Sequence, residues 1–173
     1  MISKFGISAA AAGLAVLLGF VPHAQGGSAA ADVKDASGNS VGTVSLTDTH
    51  AGVLITGDLS GLPPGPHGIH VHAVGKCEPP FTTAGGHFNP GMTHHGFKNA
   101  QGPHVGDLPN ISMPASGPLH FEFLLAGATL HDANAILDAD GAAIVIHATQ
   151  DDYASDPAGN SGARIACGVV TAH

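Results

Sequence analysis

Residues 67–72 read His67-Gly68-Ile69-His70-Val71-His72, and the rest of the chain is organised around this stretch. Side chains of an extended strand alternate between its two faces, so His70 and His72 are predicted to share one face while Val71 points to the other. Two imidazoles on one face, flanked by apolar residues, are suited to binding a metal ion. The residues just before, 63–66, are proline and glycine and predict a turn that starts this strand.

The composition favours a β-protein with many turns. The chain has 173 residues, enough for one domain, with 25 glycines, 12 prolines and 13 histidines. Short alternating runs predict strands at residues 32–34, 41–46, 53–59, 119–125, 142–147 and 164–170. Residues 128–140 fit either a strand or a turn-rich segment. Regularly spaced short strands predict an all-β sandwich or barrel.

Two segments are predicted to be loops. Residues 73–117 contain few alternating runs but several histidines, and a loop of that length inside a compact domain is usually functional. Residues 148–162 form a second, shorter loop rich in Asp, Gly and Asn.

The first 31 residues are predicted to be a secretory leader. Lys4 gives a positive start, and the apolar run from Ile7 to Val21 is short for a membrane span. Small residues follow, and three of them are expected cleavage points: Ala24, Ala30 and Ala31. The predicted organisation is a leader at 1–31 and one domain at 32–173, with no membrane span once the leader is removed; an uncleaved anchor is the alternative.

Predicted export determines which redox state is expected for the two cysteines. The periplasm is the expected compartment, with secretion or attachment to the envelope as alternatives. Cys77 and Cys167 are the only cysteines, and in an oxidising compartment we expect them to be paired; two free buried thiols are the alternative.

The charge balance is acidic. Without the leader, the chain has four basic and 13 acidic side chains, a net charge of −9, which argues against a nucleic-acid partner.

Beyond the strand at 67–72, four places offer metal ligands: His87 after two glycines, the pair His94-His95, His104 with Asp107, and His147 at a strand end. Imidazole and carboxylate bind zinc, and imidazole also suits copper. There are more donors than one four-coordinate ion needs, so two adjacent metals are the more natural reading.

These motifs, taken together, resemble those of the copper/zinc superoxide dismutases of the exported bacterial kind. The matching stretches are 65–72, 86–90, 95–96, 102–110, 145–147 and 162–168, in the family's order and with compatible spacing. The resemblance implies a flattened eight-stranded Greek-key barrel, an immunoglobulin-like sandwich with a long metal-binding loop and a shorter channel loop. It implies conversion of superoxide to dioxygen and hydrogen peroxide with one copper and one zinc ion per subunit, and it leaves a homodimer open.

The resemblance also implies the role of each site residue. Copper would be held by His70, His72, His87 and His147, and zinc by His87, His95, His104 and Asp107. Two residues would be catalytic: Arg164 at the mouth of the copper channel, and the bridging His87, which can carry a proton. Three further features would support the site: Asp151 linking a copper histidine to a zinc histidine, the structural His67, and a disulfide between Cys77 and Cys167.

Some positions depart from the family pattern. Ile69 replaces a common aromatic residue, and His94 beside His95 makes the zinc ligand ambiguous, although the spacing to Gly96 favours His95. The loop at 148–162 has no lysine to guide an anion, which puts steering in doubt. Five histidines match no ligand position: His23, His50, His120, His131 and His173.

Two other classes of protein share part of this pattern. One is a related copper or zinc module for storage or delivery without catalysis, which could lose a copper histidine or the channel arginine; this chain retains them. The other is a cupin, which needs a glutamate three or four residues after the paired histidines. The first glutamate here is Glu78, six residues beyond His72, so the cupin pattern fits poorly.

Overall fold

The computed structural model describes residue 1 and residues 27–173. Most of the predicted leader lies outside the described residues. Residues 27–173 form ten β-strands and one short 3-10 turn at Thr82–Ala84, and they contain no α-helix. The strands are β1 Ser28–Asp35, β2 Ser40–Thr49, β3 Gly52–Leu59, β4 Gly65–His67, β5 Ile69–His72, β6 Ile111–Met113, β7 Leu119–Leu125, β8 Ala143–His147, β9 Arg164–Val169 and β10 Thr171–Ala172.

The strand order is that of a Greek-key sandwich. One curved sheet runs β5-β8-β9-β1-β2-β3-β7 with β10 beside β1, and β4 pairs with β6 in a small second sheet. The pairs are antiparallel throughout. Strands distant in sequence lie side by side, as Greek-key connections require. The predicted all-β Greek-key sandwich is therefore confirmed.

Alternating side chains build the core. Along β1 and β3, and along β2 from Val44, buried residues alternate with more exposed neighbours, which is the two-residue period of a strand with one wet face. Strands β5, at one end of the sheet, and β8 beside it differ because every residue in them is buried. Ile69 and Val71 of β5 pack in the main core, whereas His70 and His72 lie on the opposite face under the long loop.

The structure corrects three boundaries. Strand β1 begins at Ser28, four residues before the predicted start, and Ala29 and Ala31 already lie in the core. Strand β6 lies within the predicted loop 73–117 and was missed because only three residues form it. Residues 128–140 form turns with a single bridge between Thr129 and Ala135, because no neighbouring strand edge is paired with them.

Among the described residues, no helix is long and apolar enough to cross a membrane.

Candidate metal centre

The long loop after β5 folds back along the edge of that strand. Phe88 N–H donates to Val71 O at 2.8 Å, and Val71 N–H donates to Gly106 O at 2.9 Å. At Gly106 the backbones approach so closely that a Cβ would lie 2.3 Å from Val71 O. These bonds bring His87 and Asp107, from two distant parts of the loop, beside the histidines of β5.

Four buried imidazoles converge in a first set. It consists of His70, His72, His87 and His147, whose potential ligand atoms lie within 4.8 Å of one another. One ring nitrogen of each has no hydrogen-bond partner among the described residues: His70 Nδ1, His72 Nε2, His87 Nε2 and His147 Nε2. An unpartnered buried polar atom costs about 1–3 kcal/mol, so four together point to a missing common partner. A cation that binds imidazole fits this set.

The second ring nitrogen of each of these histidines is fixed by the protein. Such contacts set the tautomer and the orientation of a metal-binding ring. The contacts are His70 Nε2 to Asp151 Oδ2 at 2.8 Å, His72 Nδ1 to Gly85 O at 3.0 Å, His87 Nδ1 to Asp107 Oδ1 at 2.8 Å and His147 Nδ1 to Gly162 O at 3.3 Å.

A second set shares His87 with the first. It consists of His87, His95, His104 and Asp107, and it is also buried. His104 Nδ1 lies 3.3 Å from His87 Nδ1 and 3.4 Å from Asp107 Oδ1. Ligands around a tetrahedral zinc ion, at 2.0–2.1 Å from it, lie about 3.3 Å apart. Asp107 Oδ1 lies closer, at 2.8 and 2.9 Å, to His87 Nδ1 and His95 Nδ1, to which it is hydrogen-bonded. Three imidazole nitrogens and one carboxylate oxygen thus have the donor chemistry that zinc favours.

Burial favours the neutral form of three histidines of the first set. Desolvation lowers the pKa of His70 to about 4 and that of His147 to about 3, and it holds the pKa of His72 well below its usual value. Neutral imidazoles retain the lone pair that a metal ion needs. At neutral pH these three side chains are therefore ready to act as ligands.

Two carboxylates raise the pKa of His95, in contrast to the lowered pKa values of the first set. Burial lowers its pKa, but hydrogen bonds to Asp107 and Asp151 outweigh this and raise the pKa of His95 to about 9. Burial raises the pKa of Asp107, but hydrogen bonds from His87 and His95 hold it well below the usual value. In the metal-free protein at neutral pH, protonated His95 and ionised Asp107 therefore form an ion pair.

Asp151 links the two sets. Its Oδ2 accepts a hydrogen bond from His70 Nε2 at 2.8 Å, and its Oδ1 accepts one from His95 Nε2 at 3.0 Å. Gly159 lies against this contact with φ +63°, and a Cβ there would clash with both Asp151 and His95. The carboxylate thus orients one histidine of each set.

Arg164, at the start of β9, lies at the edge of the first set and is half-buried. Its Nη1 donates to Phe81 O and its Nη2 to Gly85 O, both at 2.7 Å. Gly85 O also accepts the bond from His72 Nδ1, so the guanidinium is tied to a member of the set.

Burial and contacts distinguish the remaining histidines from one another. His95 is buried within the second set, whereas the side chain of His94 is 51% exposed and contacts Asp156, so the ambiguity between them is resolved by burial. His67 is buried outside both sets, and its ring nitrogens contact the carbonyls of His147 at 2.7 Å and Pro63 at 2.8 Å. Four of the unmatched histidines are exposed: His50, His120, His131 and His173. The fifth, His23, lies outside the described residues.

The predicted disulfide is confirmed. Cys77 and Cys167 are bonded, with Cα atoms 5.6 Å apart and a sequence separation of 90. The bond ties the long loop to β9, the strand that begins with Arg164.

Sequence reasoning missed two contributors. Asn110 hydrogen-bonds the main chain of Asp151; it lay inside a matched motif but had no assigned role, although an amide side chain next to a ligand segment is a signal for a hydrogen-bonding role. Phe81 contributes a main-chain carbonyl, and no residue type reports such a contact in advance.

Comparisons with known proteins agree with this site. The family model for copper/zinc superoxide dismutase matches residues 40–170. A superoxide dismutase [Cu-Zn] of Aquifex aeolicus is 46% identical over 144 residues, covering 81% of this chain and 85% of that protein. The superoxide dismutase [Cu-Zn] of Caulobacter vibrioides is 42% identical over 168 residues, covering 94% and 97%. A SOD-like protein from Bacillus subtilis has a solved structure that matches with a TM-score of 0.78 at 38% identity, covering 81% and 96%.

The family match and the identities each span most of the chain, and the two buried ligand sets suit the two metals of that family. The chain belongs to the copper/zinc superoxide dismutase family.

Proposed function

We propose that this chain converts two superoxide ions and two protons to dioxygen and hydrogen peroxide, with one copper and one zinc ion per subunit. The observation that carries the proposal is the group of four unpartnered buried imidazole nitrogens beside a second ligand set that shares His87. Bound copper would supply the one-electron oxidation and reduction, and zinc has no redox chemistry of its own.

The ligand assignment follows the donor chemistry. The four-imidazole set suits copper: His70, His72, His87 and His147. The set with a carboxylate suits zinc: His87, His95, His104 and Asp107. Asp151 would hold one ring of each set, and the contacts of His67 with two carbonyls support a structural role near the end of β8.

His87 is the proposed proton carrier. Its Nδ1 lies beside the second set and its buried Nε2 has no hydrogen-bond partner among the described residues, so the two nitrogens of this ring would serve the two metal sites. When the Nε2 lone pair is free, that atom can accept a proton within the site and pass it to the product. Peroxide formation needs two protons per dioxygen released, so a proton held at Nε2 serves the reaction directly.

Arg164 is the proposed anion guide. It is the one arginine of the sequence, and the predicted mature chain carries only three other basic side chains against 13 acidic ones. An anionic substrate would be repelled by most of this surface, so a fixed cation at the site edge would lower the barrier to approach.

Export to the periplasm is part of the proposal. The leader-like start of the sequence and the disulfide support it, because disulfides persist in oxidising compartments. Secretion or envelope attachment, and a homodimer, stay as predictions. The non-catalytic alternative is not favoured, because each histidine and the arginine that it could lose are retained.

A superoxide-removal assay tests the proposal directly. Protein loaded with copper and zinc should remove superoxide rapidly, and His147→Ala should lose that activity while retaining zinc. Normal metal binding in the parent without copper-dependent activity would leave only the storage or delivery module.

A further inference from the structure

Two main-chain carbonyls hold Arg164, and they are anchored differently. Gly85 O also accepts a hydrogen bond from His72 Nδ1 at 3.0 Å, which ties that carbonyl to the first ligand set. Phe81 O receives Arg164 Nη1 at 2.7 Å and, more weakly, the N–H of Ala84 at 3.3 Å. The position of Phe81 O therefore depends on how the Phe81 residue itself is held.

The ring of Phe81 is buried in a small apolar cluster separate from the main core. Phe81 is 2% exposed, and its cluster partners are Ala84, Ala143, Val145, Cys167 and, at the margin, Cys77. The cluster joins the loop to β8 and β9, the two strands that carry His147 and Arg164.

The backbone of Phe81 is strained. Its φ of 69° lies in the left-handed region, which is unfavourable for a residue other than glycine. Such a conformation persists only where the surroundings over-determine it. Burial of the large aromatic ring is the interaction that can offset this cost.

We propose that Phe81 is a positioning residue for Arg164: its buried ring holds the strained turn whose carbonyl fixes Nη1. The importance of this for superoxide rests on the proposed function, but the positioning itself does not. Without the ring, the turn can relax to an ordinary backbone conformation, and the guanidinium loses one of its two charge-assisted hydrogen bonds.

The sequence supplies a specific probe. Because Arg164 is the one arginine of the chain, phenylglyoxal can modify a single guanidinium, and intact mass spectrometry counts the adduct. The rate of modification reports how firmly the guanidinium is held. The modification assay requires no superoxide. If the protein had no dismutase activity, the proposed function would be wrong, but the position of Arg164 could still be tested.

The test compares four proteins loaded with copper and zinc: the parent, Phe81→Ala, Phe81→Leu and Leu130→Ala. Leu130 is fully buried in the main core and controls for general destabilisation. We expect Phe81→Ala to be modified roughly tenfold faster, the change that corresponds to losing one hydrogen bond to a charged group. Phe81→Leu, which retains an apolar anchor, should stay within about twofold of the parent, and metal content should be equal in all four.

Superoxide kinetics give a second readout. Phe81→Ala should lower kcat/KM and weaken its dependence on salt, with rescue in Phe81→Leu. Equal phenylglyoxal rates in Phe81→Ala and the parent overturn the proposal, and so does an equal increase in Leu130→Ala. If Phe81→Ala does not fold, Val145→Ala loosens the apolar cluster around the ring and keeps residue 81 itself, and an unchanged modification rate in that variant also overturns the proposal.

Discussion

Asn110 binds the main chain of Asp151 with both ends of its side-chain amide. Asn110 Nδ2 donates to Asp151 O at 2.9 Å, and Asp151 N–H donates to Asn110 Oδ1 at 2.8 Å. Asn110 N–H in turn donates to the hydroxyl of Tyr153 at 2.6 Å. The carboxylate that orients His70 and His95 is thus fixed by an amide pair that resembles one rung of a β-ladder.

Loss of this pair should loosen both metals. We expect Asn110→Ala to lower the free energy of unfolding by about 2 kcal/mol, because two hydrogen bonds at a buried carboxylate segment are lost. Release of copper and zinc to a chelator should also be faster than in the parent. Urea unfolding and chelator kinetics measure the two effects, with Asn39→Ala in an exposed turn as the control. Matching behaviour of the two variants would argue against a role for Asn110 at the site.

Zinc binding should release a proton from His95. In the metal-free protein the two carboxylates raise the pKa of His95 to about 9, so its ring is protonated at pH 7. A zinc ion at Nδ1 must displace that proton, whereas Asp107, with its lowered pKa, is already ionised. Calorimetry of zinc uptake in buffers of different ionisation enthalpy should show this release at pH 7 and a smaller one above pH 9. An unchanged proton count across that range would contradict the assignment.

The same raised pKa stabilises the metal-free protein. A histidine with a folded pKa of about 9 contributes fully below its unfolded pKa of about 6.5, and the contribution is lost as pH rises through 9.

Acid should destabilise the metal-free protein before its carboxylates titrate. Burial lowers the folded-state pKa of His70 to about 4 and of His147 to about 3, below the value of about 6.5 in an unfolded chain. The unfolded state then binds more protons, so the free energy of unfolding falls as pH drops from about 6.5 towards 4. The slope is about 1.4 kcal/mol per pH unit for each histidine. Urea unfolding at pH 7, 6 and 5 measures this slope. His147→Asn removes one of the titrating histidines and should therefore lower the slope by about 1.4 kcal/mol per pH unit.

Removing the charge of Arg164 should slow the reaction without emptying the metal sites. We expect Arg164→Gln to lower kcat/KM roughly tenfold at low salt and to flatten its salt dependence, because the local attraction for an anion is lost. Lys34→Gln makes the same charge change at an exposed position of β1 and should leave the rate nearly unchanged. Equal rates for the parent and Arg164→Gln would remove the arginine from the mechanism.

We expect leader cleavage to leave a protein that begins at or before Ser28. Cleavage after Ala30 or Ala31 would remove residues of β1 that pair with both β2 and β10, whereas cleavage after Ala24 leaves the strand whole. Intact mass spectrometry of the mature protein decides between them. A start at residue 31 or 32 would show that the first half of β1 is dispensable.

Several features could be read from the chain because they depend on local order. The two-residue alternation of β2 and β3 predicted their burial, and Leu119–Leu125 was predicted with its observed bounds. The candidate ligands could be named in advance because histidine and aspartate carry their chemistry wherever they lie. The presence of two cysteines in a chain with a predicted secretory leader was enough to predict the disulfide.

Other features came only from tertiary contacts. Burial separated His95 from His94, and ring orientation decided which nitrogen of each histidine faces the common centre. Strand β6 exists because β4 lies beside it, and three residues carry too little pattern to predict a strand.

By itself, then, the sequence determined the strand pattern, the disulfide and the set of residues able to bind metals, because those properties belong to side chains and to their local period. Only the tertiary structure decided how these residues are held. The groups that hold Arg164 and His72 are main-chain carbonyls of Phe81 and Gly85, which every residue type possesses. A carbonyl becomes a specific partner only when the path of the chain brings it to one guanidinium or one imidazole.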